Sequence, residues 1–125
     1  MIRGVRGAVT VERNEENEIV AATEQLLREM IKENQIDAHS VVSVFISVTD
    51  DITEAFPAKA LRAIEGWTYV PVMCMREIPV PKGLTKCIRV MMHVNTEIAQ
   101  EKISHIYLGN AVSLRPDLQQ EELNR

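Results

Sequence analysis

Apolar residues recur at helical spacing between positions 15 and 34. Ile19, Ala22, Leu26, Leu27, Met30 and Ile31 fall at i, i+3, i+7, i+8, i+11 and i+12, the stripe of an amphipathic helix with one buried face. Asn14 precedes the stripe and predicts an N-cap. Glu15, Glu16 and Glu18 put carboxylates at the positive end of the helix dipole. Asn34 predicts its end. Elsewhere the pattern is that of strands. Residues 2–11 predict one strand, with Gly4 and Gly7 inside it, where glycine marks a bulge or a close backbone approach. Residues 41–48 are β-branched and mostly apolar and predict a central strand. Residues 86–95 alternate: Ile88, Val90, Met92 and Val94 share one face, and Cys87, Arg89, Met91 and His93 the other. Residues 69–78 predict a further strand with Pro71 near its start, and residues 79–83 a turn. Thr49-Asp50-Asp51 reads as a turn or cap. Pro57 interrupts residues 52–64, so that Phe56 is extended and a short helix runs over 58–64 until Gly66. Residues 100–104 suggest a helical turn. Residues 106–108 and 111–114 suggest short strands around Gly109-Asn110.

This order predicts an α+β fold, a mixed sheet covered by one long helix plus short helices. The 125 residues suit a single domain. Residues 1–115 are taken as that domain and 116–125 as a polar, mobile tail after Pro116. The chain is 46% hydrophobic and 26% charged, ordinary for a globular protein. Its 14 basic and 18 acidic residues leave a net charge of −4, without the electrostatic footprint of a nucleic-acid binder or a polybasic membrane patch. No apolar run is long enough to span a bilayer, and the start lacks the apolar core of a signal peptide. The expectation is a cytoplasmic protein that binds neither nucleic acid nor membrane, with Cys74 and Cys87 as free thiols.

Arg89 is the residue most in need of explanation. An arginine in a buried-looking strand requires a charge partner or a function. Glu77 ends the preceding strand, and the 79–83 turn can return the chain so that Glu77 lies near Lys86 or Arg89. Cys74 reads as a small core residue more readily than as a nucleophile, because His39, His93 and His105 are scattered along the chain and offer no local base. HxxxH, HExxH and CxxC spacings are missing, which predicts no metal. GxSxG, P-loop and GxGxxG strings are missing too. What remains is arginines in organised places: Arg6, Arg62, Arg89 and Arg115. Guanidinium forks suit carboxylates and phosphates, so the residue types suggest binding of a small anion such as a dicarboxylate.

Five strings carry a resemblance. They are Ile2-Arg3-Gly4-Val5-Arg6-Gly7-Ala8 with Thr10-Val11-Glu12; Ala55-Phe56-Pro57-Ala58-Lys59-Ala60; Tyr69-Val70-Pro71-Val72 with Cys74 and Glu77; Cys87-Ile88-Arg89-Val90-Met91; and His105-Ile106-Tyr107-Leu108 with Leu114-Arg115-Pro116-Asp117-Leu118. In this order and spacing, over residues 1 to about 118, the sequence resembles the monofunctional, trimeric α+β chorismate mutases. The resemblance implies a pseudo-α/β-barrel homotrimer with sites at the subunit interfaces. It implies rearrangement of chorismate to prephenate on the route to phenylalanine and tyrosine, without cofactor, metal or covalent intermediate. It assigns Arg89 to the ether oxygen and a carboxylate, Arg6 and Tyr107 to a substrate carboxylate, and Glu77 to the ring hydroxyl with Cys74 close by. The backbone around Val72, Met73 and Cys74 lines the pocket. Phe56, Ala58, Lys59 and Arg62 come from the neighbouring subunit, and Leu114 and Arg115 lie near a covering C-terminal segment. Two other readings stay open on the residues alone: a small trimeric imine or enamine deaminase, and a non-catalytic trimer that senses or carries a small anion.

Overall fold

The computed structural model describes residues 1–114; the expectations for Arg115 and for the 116–125 tail lie outside them. Five strands form one mixed sheet in the order β3-β2-β4-β1-β5. They are β1 (Ile2–Thr10), β2 (Val41–Val48), β3 (Val72–Arg76), β4 (Cys87–Asn95) and β5 (Ile106–Leu108), with helix α1 at Glu16–Asn34. β4 lies antiparallel between β1 and β2, while β3 and β5 join the edges in parallel. Short 3₁₀ segments at Pro57–Ala63 and Gly109–Leu114 complete the parts that shape the site. The α+β architecture predicted from the pattern is the one observed.

Strand alternation divides the sheet cleanly. Val5 and Val9 of β1, Val44 and Ile46 of β2, and Ile88, Val90, Met92 and Val94 of β4 are buried with Ile19, Leu26, Leu27 and Met30 of α1. Gly7 belongs to this covered face. A Cβ there would sit 2.5 Å from Met30 Sδ and 3.0 Å from Leu26 Cδ1, so its lack of a side chain lets α1 cross close over β1. The other face carries Arg6, Phe45, Met75, Arg89, Met91 and His93. Among the described residues no α-helix covers it, and Phe45, Met73 and Met75 are exposed.

Several local expectations need correction. Asn14 does not cap α1: the cap position is Glu15, which makes no side-chain cap bond. Asn14 instead binds Thr53 Oγ1 and accepts the backbone N–H groups of Thr53 and Glu54. The strand expected over 69–78 spans only Val72–Arg76. Residues 67–70 form a turn closed by the Val70 N–H on the Trp67 carbonyl, and Pro71 has no N–H to give a ladder. The expected strand over 111–114 is a 3₁₀ segment that packs Ala111 against Ala8 and Cys87. α1 does end at Asn34, and Gln35 takes the left-handed conformation at φ 52°. Among the described residues no helix is long and apolar enough to cross a membrane.

Candidate active site

Arg89 sits mid-sheet on the uncovered face, opposite Ala8 of β1 and Ser47 of β2. Glu77 follows the last residue of β3. Its N–H donates to the Val48 carbonyl at 2.8 Å, and its carboxylate Oε2 lies 3.1 Å from Arg89 Nε. The charge partner demanded by Arg89 is therefore the very residue expected beside it. Both side chains keep some solvent contact, 39% and 26%, so the pair stays within reach of a ligand.

Alternation along β1 turns Arg6 and Ala8 to the same face as Arg89, since Gly7 faces the helix. Tyr107 pairs with Ala8 from the other side. Arg6, Arg89, Tyr107 and Leu114 line a cavity of about 190 Å³ with Phe45, Ser47 and Met75. The Tyr107 hydroxyl is buried and has no hydrogen-bond partner among the described residues. A buried hydroxyl without a partner is costly, and here it belongs to a residue that lines the same cavity as two arginines. Arg89 also borders an adjoining depression of about 510 Å³ with Glu77, Thr49, Asp50 and the 79–83 turn.

A polar staple that sequence reasoning missed holds this wall in place. Thr49 Oγ1 accepts the Cys87 N–H at 2.9 Å and donates to Asp51. The Thr49 N–H donates to the Cys87 carbonyl at 3.1 Å. Asp51 accepts the Lys86 N–H on both carboxylate oxygens at 3.0 Å, where the Lys86 backbone turns through φ 46°. Burial alone would raise the Asp51 pKa, but the Thr49 hydroxyl and the Lys86 N–H outweigh it and hold the carboxyl below its ordinary value. The Thr-x-Asp spacing was the available signal, since such side chains bind nearby backbone in turns. Burial pushes the Cys87 thiol up, against the pull of the Arg89 charge, which keeps it protonated. Cys74 and Cys87 are both free thiols.

The remaining predicted residues form a second group. Phe56, Lys59 and Cys74 line a separate depression of about 490 Å³, and Lys59 Nζ lies 3.2 Å from Glu16 Oε2. Cys74 pairs with Ile46 and packs on the core side of β3, as does Val72. Met73 turns to the exposed face. Ala58 is half-buried, and Arg62 is exposed on the 3₁₀ segment. Cys74, expected close to Glu77, thus belongs with Phe56 and Lys59. β3 ends between Cys74 and Glu77, and strand parity sends the two side chains to opposite walls. Thr49 and Asp50 border both depressions. Among the described residues no group of three or more His, Cys, Asp or Glu side chains gathers as a metal site requires.

The chain is similar to known proteins over most of its length. The family model for chorismate mutase type I matches residues 2–118. "Chorismate mutase AroH" of Bacillus subtilis is 54% identical over 118 residues, covering 94% of this chain and 93% of that protein. The protein of the same name from Thermus thermophilus is 45% identical over 120 residues, with 95% and 98% covered. A solved chorismate mutase from Clostridium thermocellum superposes with a TM-score of 0.85 at 48% identity, covering 88% of this chain and 97% of the other.

Proposed function

The chain belongs to the type I chorismate mutase family, and we propose that it converts chorismate to prephenate by conformational restraint and electrostatic stabilisation. The observation that carries the mechanism is the Arg89–Glu77 pair at 3.1 Å, with Arg89 in a cavity shared with Arg6 and with Tyr107, whose hydroxyl has no partner among the described residues. In the reaction the ether C–O bond breaks as a C–C bond forms between the enolpyruvyl methylene and the ring. No proton or electron leaves the substrate, so no nucleophile, base or cofactor is required of the protein. The first task is to hold the enolpyruvyl group over the ring, which pre-empts the entropy of reaching that conformer. Arg6 and Tyr107 do so through a substrate carboxylate, with Leu114 lining the same cavity.

The second task is charge. Negative charge grows on the ether oxygen as the C–O bond lengthens, and a fixed cation stabilises it more in the transition state than in the ground state. Arg89 supplies that cation. Its Nε is engaged by Glu77, which orients the guanidinium, while the terminal nitrogens carry the other donors of the fork. Glu77 in turn accepts the ring hydroxyl.

The enzyme works as a homotrimer with a site at each subunit boundary, in the pseudo-α/β-barrel arrangement. Two observations support this. Among the described residues the sheet face bearing Arg89 has no α-helix over it and exposes Phe45, Met73 and Met75, apolar surface that a second copy covers. In addition, Phe56, Lys59 and Cys74 lie on a different wall from Arg6, Glu77, Arg89 and Tyr107, so one complete site draws its two walls from neighbouring chains. Ala58, Arg62 and Val72 go with the first of these walls, together with the backbone of Met73. We place the enzyme in the cytoplasm, where thiols such as Cys74 and Cys87 stay reduced.

The test mixes purified protein with chorismate in plain buffer and follows the loss of its ultraviolet absorbance. Conversion to prephenate, confirmed by acid conversion to phenylpyruvate, is the expected result. A folded trimer that leaves chorismate unchanged refutes the proposal. Ammonia release from a 2-imino acid would then favour a deaminase, and tight binding of chorismate without turnover would favour an anion sensor.

A further inference from the structure

We infer that His105 is a positioning residue for Arg6, seated by the buried Asn34 at the end of α1. This rests on the carboxylate-binding role proposed above for Arg6 and Tyr107. β1 and β5 pair over only three positions: Gly7 with Ile106, Ala8 with Tyr107 and Val9 with Leu108. The backbone ladder therefore stops one residue short of Arg6. In its place the part-buried Arg6 N–H donates to His105 Nδ1 at 3.0 Å. The imidazole adds one rung to a short parallel ladder, and it adds it at the residue that is to grip the substrate. To accept that bond, Nδ1 carries no proton, and the neutral ring holds its proton on Nε2.

The neighbouring residue is fixed from the opposite side of the sheet. Asn34 is 5% exposed. Its Nδ2 donates to the Ser104 carbonyl at 2.8 Å and to the Met30 carbonyl at 2.9 Å, and its Oδ1 accepts the Ser104 N–H at 2.8 Å. Both backbone groups of Ser104 are thus held by one helix side chain 70 residues earlier in the chain. Such a satisfied buried network specifies one geometry. Ser104 is locked by Asn34, His105 bonds Arg6, and Tyr107 follows two residues on and lines the cavity. The Asn34 and His105 contacts together set the distance between Arg6 and Tyr107.

The experiment compares His105→Leu, which removes the acceptor, with His105→Asn, whose Oδ1 can stand where Nδ1 stood. Chorismate turnover by the wild-type protein is measured first; its absence overturns the functional reading and leaves the positioning to the spectroscopic test below. In His105→Leu, KM is expected to rise about tenfold with kcat nearly unchanged, the signature of lost uniform binding. His105→Asn is expected to return KM to within about twofold of wild type. In an Arg6→Ala background His105→Leu is expected to add nothing, because the histidine acts through the arginine. An unchanged KM in folded His105→Leu, equal damage in His105→Asn, or additive effects in the double variant each overturn the inference. A measurement on the wild type keeps it testable even where a variant does not fold. A scalar coupling across the hydrogen bond between the Arg6 amide nitrogen and His105 Nδ1 is expected in the NMR spectrum, and its absence refutes the inference.

Discussion

Replacing Tyr107 with phenylalanine separates stability from binding, and the two effects have opposite signs. The hydroxyl is buried without a partner among the described residues. Burial of an unpaired hydroxyl costs about 1–3 kcal/mol by mutational measures. Removing it leaves the ring packed with Ala8, Cys87 and Ala111 and relieves part of that cost, so the thermal midpoint of the ligand-free protein is expected to stay level or rise by a few degrees. Binding changes the other way. A hydroxyl donating to a substrate carboxylate makes a charge-assisted hydrogen bond worth about 1.5–3 kcal/mol. At 1.4 kcal/mol per tenfold, its loss raises KM for chorismate about 10- to 150-fold. If the bond is equally strong in the ground and transition states, kcat moves little. Thermal denaturation and the ultraviolet assay for chorismate read the two quantities on one preparation. A lowered midpoint with unchanged KM would show that the hydroxyl serves the fold and not the substrate, and would refute the reasoning.

Arg89→Ala is expected to lose about 3 kcal/mol or more of transition-state stabilisation, by comparison with removal of an oxyanion donor; near-normal kcat in the folded variant argues against the proposed mechanism. Asn34→Ala strips three hydrogen bonds from buried groups and is expected to cost about 1–3 kcal/mol in denaturant unfolding, whereas an unchanged midpoint would deny Asn34 any structural part. Asp51 has a folded pKa below its ordinary value of 3.8. Its contribution to stability is therefore present above pH 3.8 and lost as pH falls through the lower folded value. Asp51→Asn is expected to flatten that acid limb of the unfolding profile, and a limb of unchanged slope would count against the Lys86 staple.

What could be read from the sequence was what depends on period. The α1 stripe and the alternation of β4 repeat over enough residues to be unmistakable, and they carried with them the covered face of the sheet and the position of Arg89. β1 was harder because its central core position is Gly7, which shows no hydrophobicity; the side to which Arg6 points becomes clear only when Met30 and Leu26 are found against that glycine. Residues 111–114 are a short apolar run, equally compatible with a strand or a tight helical turn, and the contact of Ala111 with Ala8 and Cys87 decides for the turn. Asn14 and Asn34 were both read as helix-end residues. Their real partners, Thr53 and Ser104, lie far along the chain, and no local pattern announces such a bond. The assignment of Cys74 to the wall of Phe56 rests on where β3 stops, a boundary set by pairing with β2.

The placement of Cys74, Phe56 and Lys59 on one wall and of Arg6, Glu77, Arg89 and Tyr107 on another carries a genetic consequence. In the proposed trimer every site unites one wall from each of two neighbouring chains, so a lesion in one wall leaves the other wall of the same chain sound. When Arg89→Ala and Phe56→Asp chains are co-expressed and assemble at random, about a quarter of the sites combine two sound walls. Two alleles that are each inactive then restore growth without added phenylalanine and tyrosine, while two alleles damaged in the same wall do not. The positions of the protein sort into two complementation groups, and the boundary between them runs along β3 between Cys74 and Glu77.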